Sequence, residues 1–221
     1  MDILNAMQQR HSVRSYLDKP LEDGVKSTLQ KEIDAINQES GFHFQLVTNE
    51  PKAFDSFMAH YGKFSGVTNY IALVGRKARD LEERCGYYGE RLVLLAQQLG
   101  LNTCWVAMTY KKVPRVFQVA SGEKLTVVIA LGYGATQGAP HKSKPVEAVS
   151  RASGSAPEWF RKGVEAALLA PTAMNQQKFT FVLEDGKVQA KAGIGFYTKI
   201  DLGIVKYHFE MAAGKKDVQW A

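Results

Sequence analysis

Cys85-Gly86-Tyr87-Tyr88-Gly89-Glu90-Arg91-Leu92-Val93-Leu94-Leu95-Ala96-Gln97-Gln98-Leu99-Gly100 is the stretch from which the fold is best read. Its apolar residues Tyr88, Leu92, Leu95 and Leu99 lie on one helical face, which predicts an amphipathic helix stopped at Gly100. The chain echoes this segment near its end, from Ile200-Asp201-Leu202-Gly203-Ile204 to Gly214. There Asp201 is expected to cap a helix carrying Leu202, Val205, Phe209 and Ala212 on one side. Two such helices in one chain imply an internal duplication.

Working outward, Asp2 can cap a short helix bearing Ile3, Leu4 and Met7. Val25, Leu29, Ile33 and Ile36 predict a longer helix closed by Ser40-Gly41. Phe42, Phe44 and Leu46 alternate with polar residues, as a half-buried strand does. Residues 70–74, 104–106 and 125–131 are short apolar runs expected to be buried strands. Gly134 to Gly154 is rich in Gly, Ser, Pro and Ala and reads as a linker or long surface loop. Ser155-Ala156-Pro157-Glu158 has the spacing of a capping box ahead of the apolar face Phe160, Val164, Ala167 and Leu168. Phe179–Leu183, Asp185-Gly186 and Val188–Ala192 read as a hairpin. The order predicts an α+β protein, with a first half over 1–150 and an abbreviated second half over 151–221.

Composition narrows the function classes. The 221 residues are 45% apolar and 23% charged, which excludes a disordered or collagen-like chain. No run approaches the ~20 apolar residues of a membrane span. Residues 1–16 lack the basic head, apolar run and cleavage site of a signal peptide, so a cytoplasmic protein is expected. The net charge of +6 favours anionic ligands, but no basic arm marks a nucleic-acid binder. Cys85 and Cys104 have neither CxxC spacing nor a neighbouring His, and read as reduced core thiols. The five histidines have no metal-ligand spacing.

Three short patterns could carry chemistry. Arg10-His11-Ser12-Val13-Arg14 sets two guanidiniums and a hydroxyl at a helix end, a donor set suited to phosphate, although a solvated basic turn has the same pattern. Pro171-Thr172-Ala173-Met174-Asn175-Gln176-Gln177 makes a tight loop with a hydroxyl and carboxamides. It could read the polar edge of a planar cofactor, or end a helix with Asn175 bonded to its own backbone. Lys142 and Lys144 share a face if the segment is extended and could meet one phosphate, or lie in an ordinary exposed loop.

In this order, RHSVR, GLNTCWV, KSK and APTAMNQQKF resemble the nitroreductase family of FMN-dependent oxidoreductases. The resemblance implies a nitroreductase-like fold, a central mostly antiparallel sheet with flanking helices. It implies that Arg10, Ser12 and Arg14 bind flavin and phosphate, with His11 where a second Arg is common. Lys142 and Lys144 match a basic pair that holds the phosphate. Pro171, Thr172, Asn175 and Gln177 match the loop that contacts the flavin ring, and Trp105, Val106 and Ala107 the backbone near the flavin N5. The implied reaction takes electrons from NADPH or NADH and passes them in ping-pong order to a small electron-poor acceptor, a nitroaromatic or quinone. A flavin or nucleotide binder without enzymatic activity is the alternative.

One departure stands out. In the family the ring loop follows soon after the N-terminal turn and the partner subunit completes each site. Here it lies about 160 residues downstream, and Ala35-Ile36-Asn37-Gln38-Glu39-Ser40 lacks the Pro expected at the earlier place. The two halves would then imitate two subunits, in a pseudo-dimeric monomer or a homodimer of such chains. Lys178 and Phe179 replace the common Pro and Trp, and Ala107-Met108 a common acidic residue and Gly, which leaves the substrate side of the pocket open.

Overall fold

The computed structural model describes residues 1–214 and 218–221. In chain order the elements are α1 (Ile3–Gln9), α2 (Asp23–Ser40), β1 (Gln45–Val47), α3 (Phe57–Tyr61), β2 (Asn69–Arg76), α4 (Leu81–Gln98), β3 (Asn102–Val106) and β4 (Glu123–Gly132). Then come α5 (Val146–Val149), β5 (Ser150–Ala152), α6 (Glu158–Ala167), a 3-10 turn at Ala173–Asn175, β6 (Phe179–Glu184), β7 (Lys187–Ala192) and α7 (Thr198–Ala213). They gather into two units. The larger holds Arg10–Leu81 and Leu92–Pro140; the smaller holds Met1–Gln9, Glu82–Arg91 and His141–Ala221. Among the described residues, no helix is long and apolar enough to cross a membrane.

The larger unit is built on a four-stranded antiparallel sheet ordered β1-β2-β4-β3. Every residue of β2 from Asn69 to Gly75 is buried, so this strand is covered on both faces, as its unbroken apolar run implies. Tyr70, Ala72 and Val74 join Val128 and Ala130 in a cluster with Phe54 and Phe64. Each Leu, Ile, Val or Phe so buried contributes roughly 1.5–3 kcal/mol. The face of α2 predicted from its periodicity is the one buried: Leu29, Ile33 and Ile36. The helix ends at Gly41, whose φ of 72° closes the last turn. Asn37 then bonds both backbone groups of Phe44, at 2.9 and 2.8 Å, and so fixes where the chain enters β1.

In the smaller unit β5 pairs in parallel with β6, and β6 forms a hairpin with β7 through Asp185 and Gly186, both at positive φ. The expected linker therefore contains a short helix and a strand. Val149 is buried, and Ser150 to Ala152 find partners in Phe181 to Leu183. The capping box at Ser155 is not formed, because Pro157 occupies the N-cap of α6 and no side chain bonds there. Phe160 and Phe181 pack on Phe209 of α7, with ring centroids 5.6 and 4.5 Å apart. Gly163 makes room for the Phe209 ring, which a Cβ there would meet at 2.7 Å.

Helix α7 starts at Thr198, so Asp201 does not cap it; its own N–H already donates to Tyr197 O at 3.0 Å. Buried on nearly all sides, α7 must find partners for its polar groups inside the protein. His208 meets Glu90 at 2.9 Å, and Glu210 accepts from Tyr87 Oη and Trp220 Nε1 at 2.5 Å each. The first part of α4 crosses α7 at two glycines. A Cβ on Gly203 would overlap Glu83 O and Tyr87 N, and one on Gly86 would overlap Ile200 O and crowd Ile204 N. Each glycine thus meets the residue three before and the residue one after the other glycine. The two helices therefore approach most closely at this pair of glycines. The crossing pairs Gly86 with Gly203, two residues on from a direct overlay of Cys85 on Ile200.

Candidate functional site

In the larger unit, residues 12–17 run extended between three neighbours. Val13 N–H donates to Thr103 O at 3.0 Å, Ser65 N–H to Arg14 O at 2.9 Å, and Leu17 N–H to Tyr133 O at 2.8 Å. Ala135 N–H donates back to Ser15 O at 2.9 Å, so the backbone bonds on both sides. On this frame Arg10 is buried, His11 and Ser12 are half-buried, and Arg14 is exposed, its guanidinium 5.9 Å from the centre of the Phe64 ring. Ser12 bridges Thr103 on β3, the strand that carries Trp105 and Val106 and hands on to Ala107. The sequence-predicted residues 10, 11, 12, 14, 105, 106 and 107 are therefore brought together in this unit. Asn102, which the sequence reading did not single out, accepts from Gly134 N–H at 3.0 Å and donates to Gln137 at 3.2 Å. It folds the next turn so that Gly138, at φ 73°, packs on His11, where a Cβ would come within 2.7 Å of the His11 Cβ. Burial pushes the Cys104 thiol up, against the pull of the Arg14 and Arg10 guanidiniums, which favours the protonated thiol over the thiolate.

The smaller unit gathers the other six. Pro171 and Gln177 are buried, Thr172 is half-buried, and Asn175 is exposed. Met174, Asn175 and Gln177 take φ values of 51°, 52° and 45°, a conformation that costs about 1–2 kcal/mol per non-glycine residue. Side-chain bonds offset that cost. The Gln177 carboxamide donates to Lys142 O and Asn175 Oδ1 at 2.7 Å each and accepts from Lys144 N–H at 2.8 Å. Asn175 Nδ2 donates to Lys142 O at 2.9 Å, and Thr172 Oγ1 accepts from Gln177 N–H at 3.1 Å. The Lys144 ammonium donates to the carbonyls of Gln176 and Gln177, at 2.9 Å each, while Lys142 extends an exposed side chain. The donors left over among these groups include the Thr172 hydroxyl proton, the second Asn175 N–H, the third Lys144 ammonium hydrogen and the Lys142 ammonium. They suit the carbonyl and ring-nitrogen edge of a planar heterocycle, or a phosphate.

Asp201 is the member of this site that sequence reasoning misassigned. Its carboxylate accepts from Ala173 N–H at 3.0 Å and from Gln176 Nε2 at 2.9 Å, tying α7 to the loop rather than capping the helix. Burial raises its pKa to about 6, outweighing those two bonds. The folded state therefore holds this proton more tightly than the unfolded chain. The contribution is fully present below about pH 4 and is lost as pH rises through 6, on the order of 3 kcal/mol in all. In urea unfolding followed across pH 4–7, Asp201→Asn is expected to flatten this decline.

Comparison with known proteins agrees with this architecture. Residues 2–213 match the family described as "Putative TM nitroreductase". A "putative nitroreductase" from Thermotoga maritima superposes with a TM-score of 0.70 at 23% identity, covering 98% of this chain and 85% of its own. A "putative NADH dehydrogenase/NAD(P)H nitroreductase" from Bacteroides thetaiotaomicron gives 0.52 at 21% identity, covering 66% and 95%. A "putative nitroreductase in complex with FMN" from Desulfovibrio desulfuricans gives 0.52 at 18% identity, covering 67% and 95%. Among curated proteins none matches. With nearly the whole length matched and the α+β architecture shared, this chain belongs to the nitroreductase family.

Proposed function

We propose that the protein is an FMN-dependent oxidoreductase that passes electrons from NADH or NADPH to a small electron-poor acceptor, a nitroaromatic or quinone. What carries this reading is the 171–177 loop. It is held by several side-chain hydrogen bonds in an unfavourable backbone conformation, with the Thr172 hydroxyl proton and one Asn175 N–H left over as donors. Strained, over-determined loops of this kind are characteristic of ligand sites. When bound, the flavin would accept a hydride from the nicotinamide and release two electrons to the acceptor.

The chain's own residues bind and orient. In the larger unit Arg14 would supply a cation for a phosphate, with Arg10, His11 and Ser12 shaping the same turn, and in the smaller unit Lys142 would supply a cation beside the ring loop. Thr172, Asn175 and the backbone of Trp105, Val106 and Ala107 face the ring, and Pro171 and Gln177 hold their loop. Lys144 acts through that loop, since two of its ammonium hydrogens are directed to carbonyls there. No side chain is assigned a proton-transfer role.

Two measurements test the proposal. Stopped-flow mixing of FMN-loaded protein with NADH or NADPH is expected to bleach the flavin absorbance; no bleaching with either would overturn the enzymatic reading. In equilibrium titration with FMN, Arg14→Ala is expected to raise Kd about tenfold or more, from loss of a charge-assisted bond of about 1.5–3 kcal/mol. Asn175→Ala is expected to raise Kd about threefold to tenfold, from loss of a neutral one. If only one of the two variants weakens FMN, the two stretches do not share a ligand.

A further inference from the structure

Within the smaller unit, where the start of α4 passes α7, lies a cavity of about 220 Å³ that uses none of the residues assigned above to the flavin. Glu83 and Tyr87, four residues apart on α4, line one side. Gly203, Lys206 and Glu210, at spacings of three and four on α7, line another, so each helix presents a single face. Trp220 completes the aromatic part of the wall together with Tyr88, and Arg84 adds a second cation. These walls are fixed. Glu210 accepts from Tyr87 Oη on one oxygen and from Trp220 Nε1 on the other, at 2.5 Å each. Burial, and then the bond to Glu210, raise the Tyr87 hydroxyl well above its ordinary range, so it stays a donor. Trp220 is anchored on β7 through its neighbours: Val188 N–H donates to Gln219 O at 2.7 Å and Ala221 N–H to Val188 O at 3.0 Å.

The charges select the guest. The Lys206 ammonium sits 2.8 Å from Glu83 and 4.5 Å from the centre of the Trp220 ring. The two side chains of this ion pair are 23% and 35% exposed, so the pair itself contributes little to stability. The bond uses one of three ammonium hydrogens and one of several carboxylate lone pairs, which leaves each partner able to bond again. A guest with positive charge alone would face Lys206 and Arg84, and one with negative charge alone would face Glu83 and Glu210. A guest carrying both signs finds a complement for each. The volume is below the roughly 300–1,000 Å³ of cofactor-sized and drug-sized sites, which suits one small metabolite. We propose that this cavity binds a single α-amino acid with an aromatic side chain. Its ammonium meets Glu83, its carboxylate meets Lys206, and its ring packs against the aromatic wall.

The test is calorimetric titration of the full chain with L-phenylalanine, with phenethylamine, which lacks the carboxylate, and with 3-phenylpropionate, which lacks the ammonium. L-Phenylalanine is expected to bind saturably, and each analogue at least tenfold more weakly, through loss of a charge-assisted bond. Lys206→Met keeps the apolar stem and should weaken L-phenylalanine about tenfold without weakening phenethylamine. Glu83→Gln should weaken L-phenylalanine similarly without weakening 3-phenylpropionate. Unchanged thermal unfolding verifies the fold of each variant, and if either fails to fold, the three ligands on the wild-type protein decide the matter. No saturable heat with L-phenylalanine, L-tyrosine or L-tryptophan at millimolar concentration would overturn the proposal. So would an analogue that binds as tightly as the amino acid, or two folded variants that bind it as the wild type does. FMN uptake is measured on the same samples, so the flavin reading stands or falls separately.

Discussion

Gly203→Ala is expected to lower the unfolding free energy by about 3 kcal/mol or more, measured by urea denaturation. The added methyl has nowhere to go. It would overlap Glu83 O and Tyr87 N, which are backbone atoms and cannot rotate aside as a side-chain tip can. Overpacking a well-packed interior typically costs about 1–3 kcal/mol, and a clash with fixed backbone lies at the upper end. Gly86→Ala should behave in the same way, since its methyl would overlap Ile200 O. Gly24→Ala is the control: it too lies in a helix, but a Cβ there meets nothing within 4 Å. There the lower backbone entropy of alanine should stabilise by about 0.5–1 kcal/mol. Equal, large losses at Gly86 and Gly203 would follow from the reciprocal crossing. A large loss at one and none at the other would contradict it.

His208→Leu is expected to cost about 3–5 kcal/mol, the usual result of removing one partner from a buried pair. His208 and Glu90 are both fully buried. The imidazole faces an oxygen on each side, Ala166 O at 3.1 Å from Nδ1 and Glu90 at 2.9 Å from Nε2. A carbonyl can only accept, so Nδ1 carries a proton, and a further proton must lie between Nε2 and Glu90. Leucine fills much of the ring's volume but offers Glu90 no hydrogen. Glu90→Gln keeps a carboxamide within bonding reach of Nε2, and should cost distinctly less in the same unfolding assay. If His208→Leu proves neutral, the pair does not hold α7 in place.

Much of the fold was legible because its signals were local. The spacing of Leu29, Ile33 and Ile36 needed no tertiary information to locate the buried face of α2. Asp185-Gly186 likewise carried its own turn chemistry. The misread places are those where tertiary partners outcompete local rules. Asp201 has the residue type of a cap, yet its carboxylate is used by Ala173 and Gln176, across 28 and 25 residues of sequence. Ser155 has capping-box spacing, but Pro157 sets the start of α6. The residues 150–152 look like a linker because a three-residue edge strand needs only backbone partners, which leave no side-chain pattern.

The candidate site divides in the same way. Its donors, Arg14, Lys142, Thr172 and Asn175, were visible as residue types in an order that resembles a known family. Its supports were not. Asn102, Gln176 and Asp201 act through bonds to backbone groups that only the folded chain brings near. Lys144 was read as half of a phosphate pair, and the folded chain also gives it two carbonyl partners in the ring loop. A sequence lists possible donors; the fold determines which remain available to a ligand.

The most direct measurement is the visible spectrum of freshly purified protein, with mass spectrometry of whatever heat releases from it. The expected result is a yellow protein carrying one FMN per chain. A colourless protein that takes up no added FMN would contradict the flavin site itself.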